Sequence, residues 1–342
     1  MRLSDLIGQD AARNALLRAV ARGHVAHAYL FEGPPGVGKR GAALGLAMAL
    51  DCAVEPGAGC GTCEPCRRIE AGLHPDVPTF GPSGAGGQIV IEDARAILAL
   101  ARTRPHEAAA RVIIIDDADA LNPNAANSLL KTLEEPLARN HLVLCTSAPE
   151  RLLPTIRSRT QRIRFQALPV AALVDLASSR GIPAARAEIA AALADGSVAR
   201  MLEAAATTDD EGGEADATAR LGDALATLRA AVTAPGATPV FELAAGIGGE
   251  KARDQLAQLL RLVARLYRDA LAVAAGAPEL AVLKDGAAGS EAAALAAVGT
   301  DHLNRALAAI VDTQLALAVN VNPTLALERL LLALKREERR AA

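Results

Sequence analysis

A chain of 342 residues exceeds one hydrophobic core of average size, so two or three domains are predicted. Its formal charge of −3, from 36 Lys and Arg against 39 Asp and Glu, argues against a protein that coats nucleic acid through global attraction to phosphate. Hydrophobic residues make up 51% of the chain but aromatic residues only 2%, with no Trp, so the cores are aliphatic, Ala-rich and favourable to helix. The opening MRLSDLIGQD lacks the apolar run of a signal peptide, and no stretch approaches the roughly 18 apolar residues of a membrane span; a soluble, cytoplasmic protein with no membrane contact is expected.

The first third alternates short apolar runs with helical stretches. Apolar runs at 29–31, 111–115 and 142–145 read as strands buried on both faces, each feeding a loop and then a helix, and 161–165 reads as a further strand closing this region. That pattern predicts an α/β domain with a parallel sheet and crossover helices.

The first run leads into Gly33-Pro34-Pro35-Gly36-Val37-Gly38-Lys39, the GxxxxGK frame of a phosphate-binding loop, followed by a helix over 41–50. Glycines let backbone N–H groups turn inward, the helix N-terminus adds positive potential, and Lys39 reaches terminal phosphates. The eighth position calls for a Ser or Thr hydroxyl to ligate Mg²⁺, and Arg40 stands there. A guanidinium cannot ligate a cation, so hydrolysis of ATP with Mg²⁺ is threatened more than binding.

Four of the five cysteines follow at once, Cys52, Cys60, Cys63 and Cys66, in a C-x7-C-x2-C-x2-C arrangement. Thiols this close in a cytoplasmic protein point to structural, tetrahedral zinc; an iron–sulfur cluster and unliganded thiols are the alternatives. His74, in HPDV, stands at a turn where a structural role is favoured over ligation. The run at 112–115 ends in Asp116, Asp117 and Asp119. A carboxylate at such a strand end sits beside a magnesium water shell, the part expected of Asp116; the bland alternative is a strand ending in solvent. Asp117 stands where a longer Glu polarises the attacking water, and a reach error near 1 Å costs on the order of 100-fold in rate. Cys145 lies within an apolar strand as an inert core residue.

Thr146 and Ser147 end the next strand, where polar groups can cap a turn. Arg157, Arg159, Arg162 and Arg164 form, by composition alone, an ordinary solvated basic strip. Beyond Leu168-Pro169 the pattern becomes helical: a small helical domain over 168–206, an acidic, Gly-containing linker over 207–216, and a helical domain over 217–342 with apolar periodicity at 251–275 and 301–319. The last helix is predicted to begin near Pro323.

Together these residues resemble the bacterial clamp-loader ATPases, the AAA+ subunits that load the sliding clamp of the replicative DNA polymerase III. The resemblance is carried by AHAYLFEGPPGVGK, the cysteine module, HPDV, IIIDDAD, NSLLKTLEEP and the triplet Ser158-Arg159-Thr160, which cover roughly the first half, and by the ending NVNPTLALERLLL. It implies a P-loop AAA+ domain over 1–167 with a zinc module at about 52–66, a lid at 168–206 and a collar at 217–342. Arg40 and Asp117 depart from the motor pattern, which places the chain closest to the delta-prime branch, with the gamma/tau branch as the alternative. The resemblance further implies that Arg159 acts in trans as an arginine finger on a neighbouring subunit's ATP while this chain's own ATPase activity is weak or absent. The implied partners are gamma/tau-type and delta-type subunits in a hetero-oligomer, the sliding clamp, and primer–template DNA reached through the complex. By the same resemblance Thr146 and Ser147 occupy the first-sensor strand end, Arg200 is offset from the second-sensor position after Gly196-Ser197, and Ile7-Gly8-Gln9 lies where relatives contact adenine, or is simply a lead into a helix.

Overall fold

The computed structural model describes residues 2–83, 87–206, 227, 229–246, 252–281, 286–317 and 321–341. The expected linker at 207–216 lies outside them. The chain divides into two compact units, Met1–Leu176 with Asp195–Arg200, and Ala177–Ala194 with Met201–Ala342.

In the first unit, five parallel strands form one sheet: β1 (Ala28–Glu32), β2 (Thr79–Phe80), β3 (Arg111–Ile115), β4 (Asn140–Thr146) and β5 (Gln161–Arg164). Their order is β2-β3-β4-β1-β5, with Leu30 opposite Leu144 and Arg162, and Ile113 opposite Leu142. Every residue of β1 and β3 is buried, as strands covered on both faces require. The three strands expected from apolar runs are present, as is the further strand expected at 161–165; of the four residues of β5 only Ile163 is buried. The edge strand β2 was not expected, because two residues, one exposed and one half-buried, leave no hydrophobic pattern to read.

The helices of this unit are α1 (Asp10–Ala21), α2 (Lys39–Asp51), α3 (Glu64–Glu70), α4 (Ile91–Ala101), α5 (Pro123–Glu134) and α6 (Pro154–Arg157). The start of α5 is set locally: Asn122 Oδ1 accepts from the Ala125 N–H at 2.8 Å, and Pro123 occupies the first turn, where no intrahelical donor is needed. Its apolar face, with Ala125, Leu129 and Leu133, joins Ile97 of α4 and Leu30, Ile113 and Leu144 of the sheet in one core cluster.

Two helices, α7 (Val170–Ser179) and α9 (Val198–Ala206), contribute residues to both units. The second unit holds α8 (Ala184–Leu193), α10 (Thr238–Ala245), α11 (Ala252–Ala274), α12 (Gly286–Ala296), α13 (Thr300–Leu317) and α14 (Pro323–Ala341). Leu260 and Val263 of α11, Ile310 of α13, and Leu327, Leu331 and Leu334 of α14 pack in its core. The last helix starts at Pro323 as expected, with Asn322 Oδ1 accepting from the Leu325 N–H at 3.2 Å. Lys335, buried, donates from Nζ to the carbonyls of Ala231 (3.1 Å) and Ala234. No helix among the described residues is long and apolar enough to cross a membrane.

Candidate functional site: a phosphate loop and a four-sulfur centre

The loop at 33–40 leaves the carboxyl end of β1, an interior strand, and enters α2. Two of its glycines are required by close approach. A Cβ on Gly33 would stand 2.2 Å from the Phe165 carbonyl oxygen, and one on Gly36, at φ +73°, would stand 2.1 Å from Ser197 Oγ. Pro34, Pro35 and Gly36 are exposed, Val37 is buried beneath them, and Gly38 is the left-handed N-cap of α2. Lys39 is only 7% exposed, and its Nζ donates to the carbonyls of Gly33 (2.6 Å) and Pro34 (2.7 Å). The ammonium is thus turned onto its own loop. Burial lowers its pKa, against the opposing charges of Asp116, Asp117 and Asp119. Arg40, in the first turn of α2, is exposed and presents no hydroxyl for a metal ion.

The first turn of α9 closes on this loop. The N–H groups of Val198 and Ala199 donate to the Gly36 carbonyl at 2.9 and 3.4 Å, which satisfies two of the donors that a helix start leaves open. Ser197 is the cap, its Oγ accepting from the Arg200 N–H at 3.3 Å. The Arg200 guanidinium lies 3.5 Å from the Asp195 carboxylate. The helix start is therefore at the loop, while the arginine has a local partner.

Asp116 follows β3 directly, and Asp117 adopts φ +50° on the turn beyond it. Protein around the Asp117 carboxyl, then the negative charges of Asp116 and Asp119, raise its pKa; Lys39 opposes them. The third acid has a defined task that sequence reading missed. Asp119 Oδ1 accepts from Thr146 Oγ1 at 2.6 Å and from the Ser147 N–H at 3.2 Å, and Thr146 Oγ1 in turn accepts from the Ala148 N–H at 3.1 Å. Thr146 both caps its turn and ties the ends of β3 and β4 together. Cys145 is fully buried, and burial pushes its thiol far above its usual range, consistent with an inert core residue.

The basic strip divides into two parts. Arg162 and Arg164 both reach Glu32, the residue before the loop, with Nη2–Oε2 at 2.7 Å and Nε–Oε1 at 2.9 Å. Burial alone would raise the Glu32 carboxyl, but the two guanidiniums outweigh it and hold the group below its usual range. Arg159 is half-buried, with Nη2 2.7 Å from Glu134 Oε1 and Nη1 donating to the Thr155 carbonyl at 3.1 Å. Glu134 belongs to the segment NSLLKTLEEP, so two of the segments quoted for the resemblance meet in space. Gln9 pairs with the backbone of Gln166, donating to its carbonyl at 2.7 Å and accepting from its N–H at 3.0 Å, which anchors the lead into α1.

The sulfur atoms of Cys52, Cys60, Cys63 and Cys66 all lie within 4.8 Å of one another, and Cys52 Sγ is 3.8 Å from Cys63 Sγ. A tetrahedral zinc with bonds of about 2.3 Å spaces its sulfurs about 3.8 Å apart, so the set fits a single ion. An iron–sulfur cluster spreads its cysteines around several metal atoms and needs a wider opening. Backbone donors favour the ionised sulfurs: the N–H groups of Glu55 and Cys60 reach Cys52 Sγ at 3.2 Å each, and those of Thr62 and Cys63 reach Cys60 Sγ at 3.4 and 3.3 Å. The Thr62 hydroxyl, followed by these N–H groups, draws the Cys60 thiol down to about 6, whereas burial pushes Cys66 up to about 12. These four residues can hold a metal ion, with every position of a tetrahedron filled by protein.

A sequence-family model described as "DNA polymerase III, delta subunit" matches residues 8–169. Over 167 residues the chain is 40% identical to the DNA polymerase III subunit delta' of Bacillus subtilis, a match covering 49% of this chain and 50% of that protein. Over 169 residues it is 37% identical to the DNA polymerase III subunit gamma/tau of Mycobacterium tuberculosis, covering 48% of this chain and 29% of that protein. Residues 8–169 are thus similar to the delta' and gamma/tau types of DNA polymerase III subunit. A solved structure of a DNA polymerase III gamma subunit-related protein from Thermotoga maritima aligns with 95% of this chain and 99% of its own, at 17% identity and a TM-score of 0.48. The matches span half or less of the length of the curated relatives quoted, and the family-model match ends at residue 169, just beyond the last strand of the sheet.

Proposed function

We propose that this protein is a delta-prime-like clamp-loader subunit that works as a stator rather than as a motor. In this reading residues 1–167 form the AAA+ domain, 168–206 its lid and 217–342 a collar that joins gamma/tau-type and delta-type subunits in a cytoplasmic hetero-oligomer. The complex would load a sliding clamp onto primer–template DNA during replication. The observation that supports the reading best is the phosphate loop itself: Arg40 replaces the metal-ligating hydroxyl, and Lys39 Nζ lies on the Gly33 and Pro34 carbonyls. Without the hydroxyl and with the shorter Asp117 after Asp116, ATP hydrolysis in this site is weak or absent. The four cysteines would hold a structural zinc.

Arg159 is then the residue that serves chemistry, as a finger directed at the ATP of the adjacent subunit. Arginine fingers supplied in trans raise turnover by about 10³ to 10⁵ in other phosphoryl-transfer systems. Arg159→Ala is expected to lower DNA-dependent ATP hydrolysis by the reconstituted complex while leaving the isolated chain inactive. Unchanged turnover by the complex would sink the trans role. The second reading, a gamma/tau-like motor, draws on the retained Lys39, Asp116 and Thr146 around the loop; hydrolysis by the purified chain, abolished by Lys39→Ala, would establish it.

A further inference from the structure

The four-sulfur centre has an outer support that none of its own residues supplies. Asp51 ends α2 and immediately precedes Cys52. Its Oδ1 accepts from the Ala109 N–H at 2.9 Å, and its Oδ2 faces His74 Nε2 at 3.2 Å. The His74 side chain is 1% exposed, and its Nδ1 accepts from the Asp76 N–H at 3.2 Å, which leaves the ring proton on Nε2, directed at the Asp51 carboxylate. The same Nε2 stands 3.5 Å from Glu107 Oε1, and Glu107 pairs with Arg68 of α3 at 2.7 Å. Arg68 lies two residues beyond Cys66. One end of the cysteine segment therefore reaches the buried imidazole directly, through Asp51, and the other reaches it through the Arg68–Glu107 pair.

That imidazole is itself fixed to the root of the sheet. Asp76, two residues on, is held by the N–H groups of His106, Glu107 and Ala108 and by Arg111, the first residue of β3.

We propose that His74 is a positioning residue for the metal centre, holding the Cys52 and Cys66 arms of the module at the spacing a tetrahedral ion requires. It touches no sulfur and acts through Asp51 on one arm and through Glu107 and Arg68 on the other. This rests on the reading that the four sulfurs hold zinc. Outer partners that orient ligands govern metal affinity by about 10- to 100-fold.

The test uses the full-length chain loaded with zinc and measures zinc per chain, zinc affinity in competition with a chromophoric chelator, and the cobalt-substituted absorption spectrum. Wild type is expected to hold one ion. His74→Phe should lose affinity by about 10- to 100-fold with an altered cobalt spectrum, and His74→Gln, whose amide can still donate to Asp51, should recover most of it. Asp51→Asn, which forfeits one of two acceptors, should weaken zinc in the same direction and serves if His74→Phe does not fold. Wild-type affinity and spectrum in folded His74→Phe, or in Asp51→Asn where the former does not fold, overturn the positioning role. A wild-type chain that binds no zinc overturns the metal reading itself, and the inference with it.

Discussion

Asp76→Asn tests a buried carboxylate at the root of the sheet in the first unit. The Asp76 carboxylate is 0% exposed and accepts five hydrogen bonds: Oδ1 from the His106 N–H (2.8 Å), Arg111 Nε (3.0 Å) and Arg111 Nη2 (2.7 Å), Oδ2 from the N–H groups of Glu107 (2.8 Å) and Ala108 (3.0 Å). An amide can satisfy one side only, since its NH₂ must then face at least two donors. The Arg111 side chain, 5% exposed, also loses its counter-charge. Breaking a buried pair in this way costs about 3–5 kcal/mol. For a unit of this size that corresponds to a fall of roughly 6 to 20 °C in melting temperature. The wild-type carboxyl is held far below its usual range, because the three N–H groups and Arg111 outweigh the effect of burial. A depressed pKa stabilises the fold above the unfolded-state value and loses that contribution as pH falls through the folded value. Asn does not titrate, so the gap between the two proteins should be full near neutrality and shrink in strong acid. Circular dichroism melts across pH measure both effects. A variant that melts within 2 °C of wild type at pH 7 would refute the reasoning, since roughly that shift follows from only a fraction of the predicted loss.

Gly36→Ala forces a side chain into φ +73° and sets a Cβ 2.1 Å from Ser197 Oγ, so a loss of about 1–2 kcal/mol from backbone strain alone is expected; faster amide exchange at Val198 and Ala199 would show the start of α9 leaving the loop. Thr146→Val removes the hydroxyl that donates to Asp119 and accepts from the Ala148 N–H, and chemical denaturation should report a loss of about 1–3 kcal/mol. In Cys63→Ser, metal content should fall below one ion per chain, and a chelator that lowers the melting temperature of wild type should have little further effect on the variant. An unchanged response to chelator in both proteins would count against a structural metal.

The strands at 111–115 and 142–145 and the loop at 33–40 were legible because their signals are local. A run of apolar residues buried on both faces, or a glycine spacing that opens a helix, is complete within about ten residues. The four cysteines were legible for the same reason, lying within fifteen positions of one another. The strand at 79–80 was not, because two residues carry no period. The assignment of the basic strip could not be made locally either: Arg162 and Arg164 are committed to Glu32, which lies about 130 positions away, and Arg159 to Glu134 on a separate helix.

Sequence alone determined which chemistry is available: a lysine in a phosphate loop, an arginine where a metal-ligating hydroxyl is needed, acids at a strand end, and four thiols. Tertiary structure decided which of these groups meet. Lys39 rests on its own loop, Asp119 belongs to Thr146, and His74, read from HPDV as a turn residue, faces Asp51 and Glu107. The physical reason is that buried charges and hydrogen-bonding groups must be satisfied by whatever the fold brings within about 3 Å. Sheet order and crossover connections set those partners, and neither is written in the neighbourhood of the residue concerned.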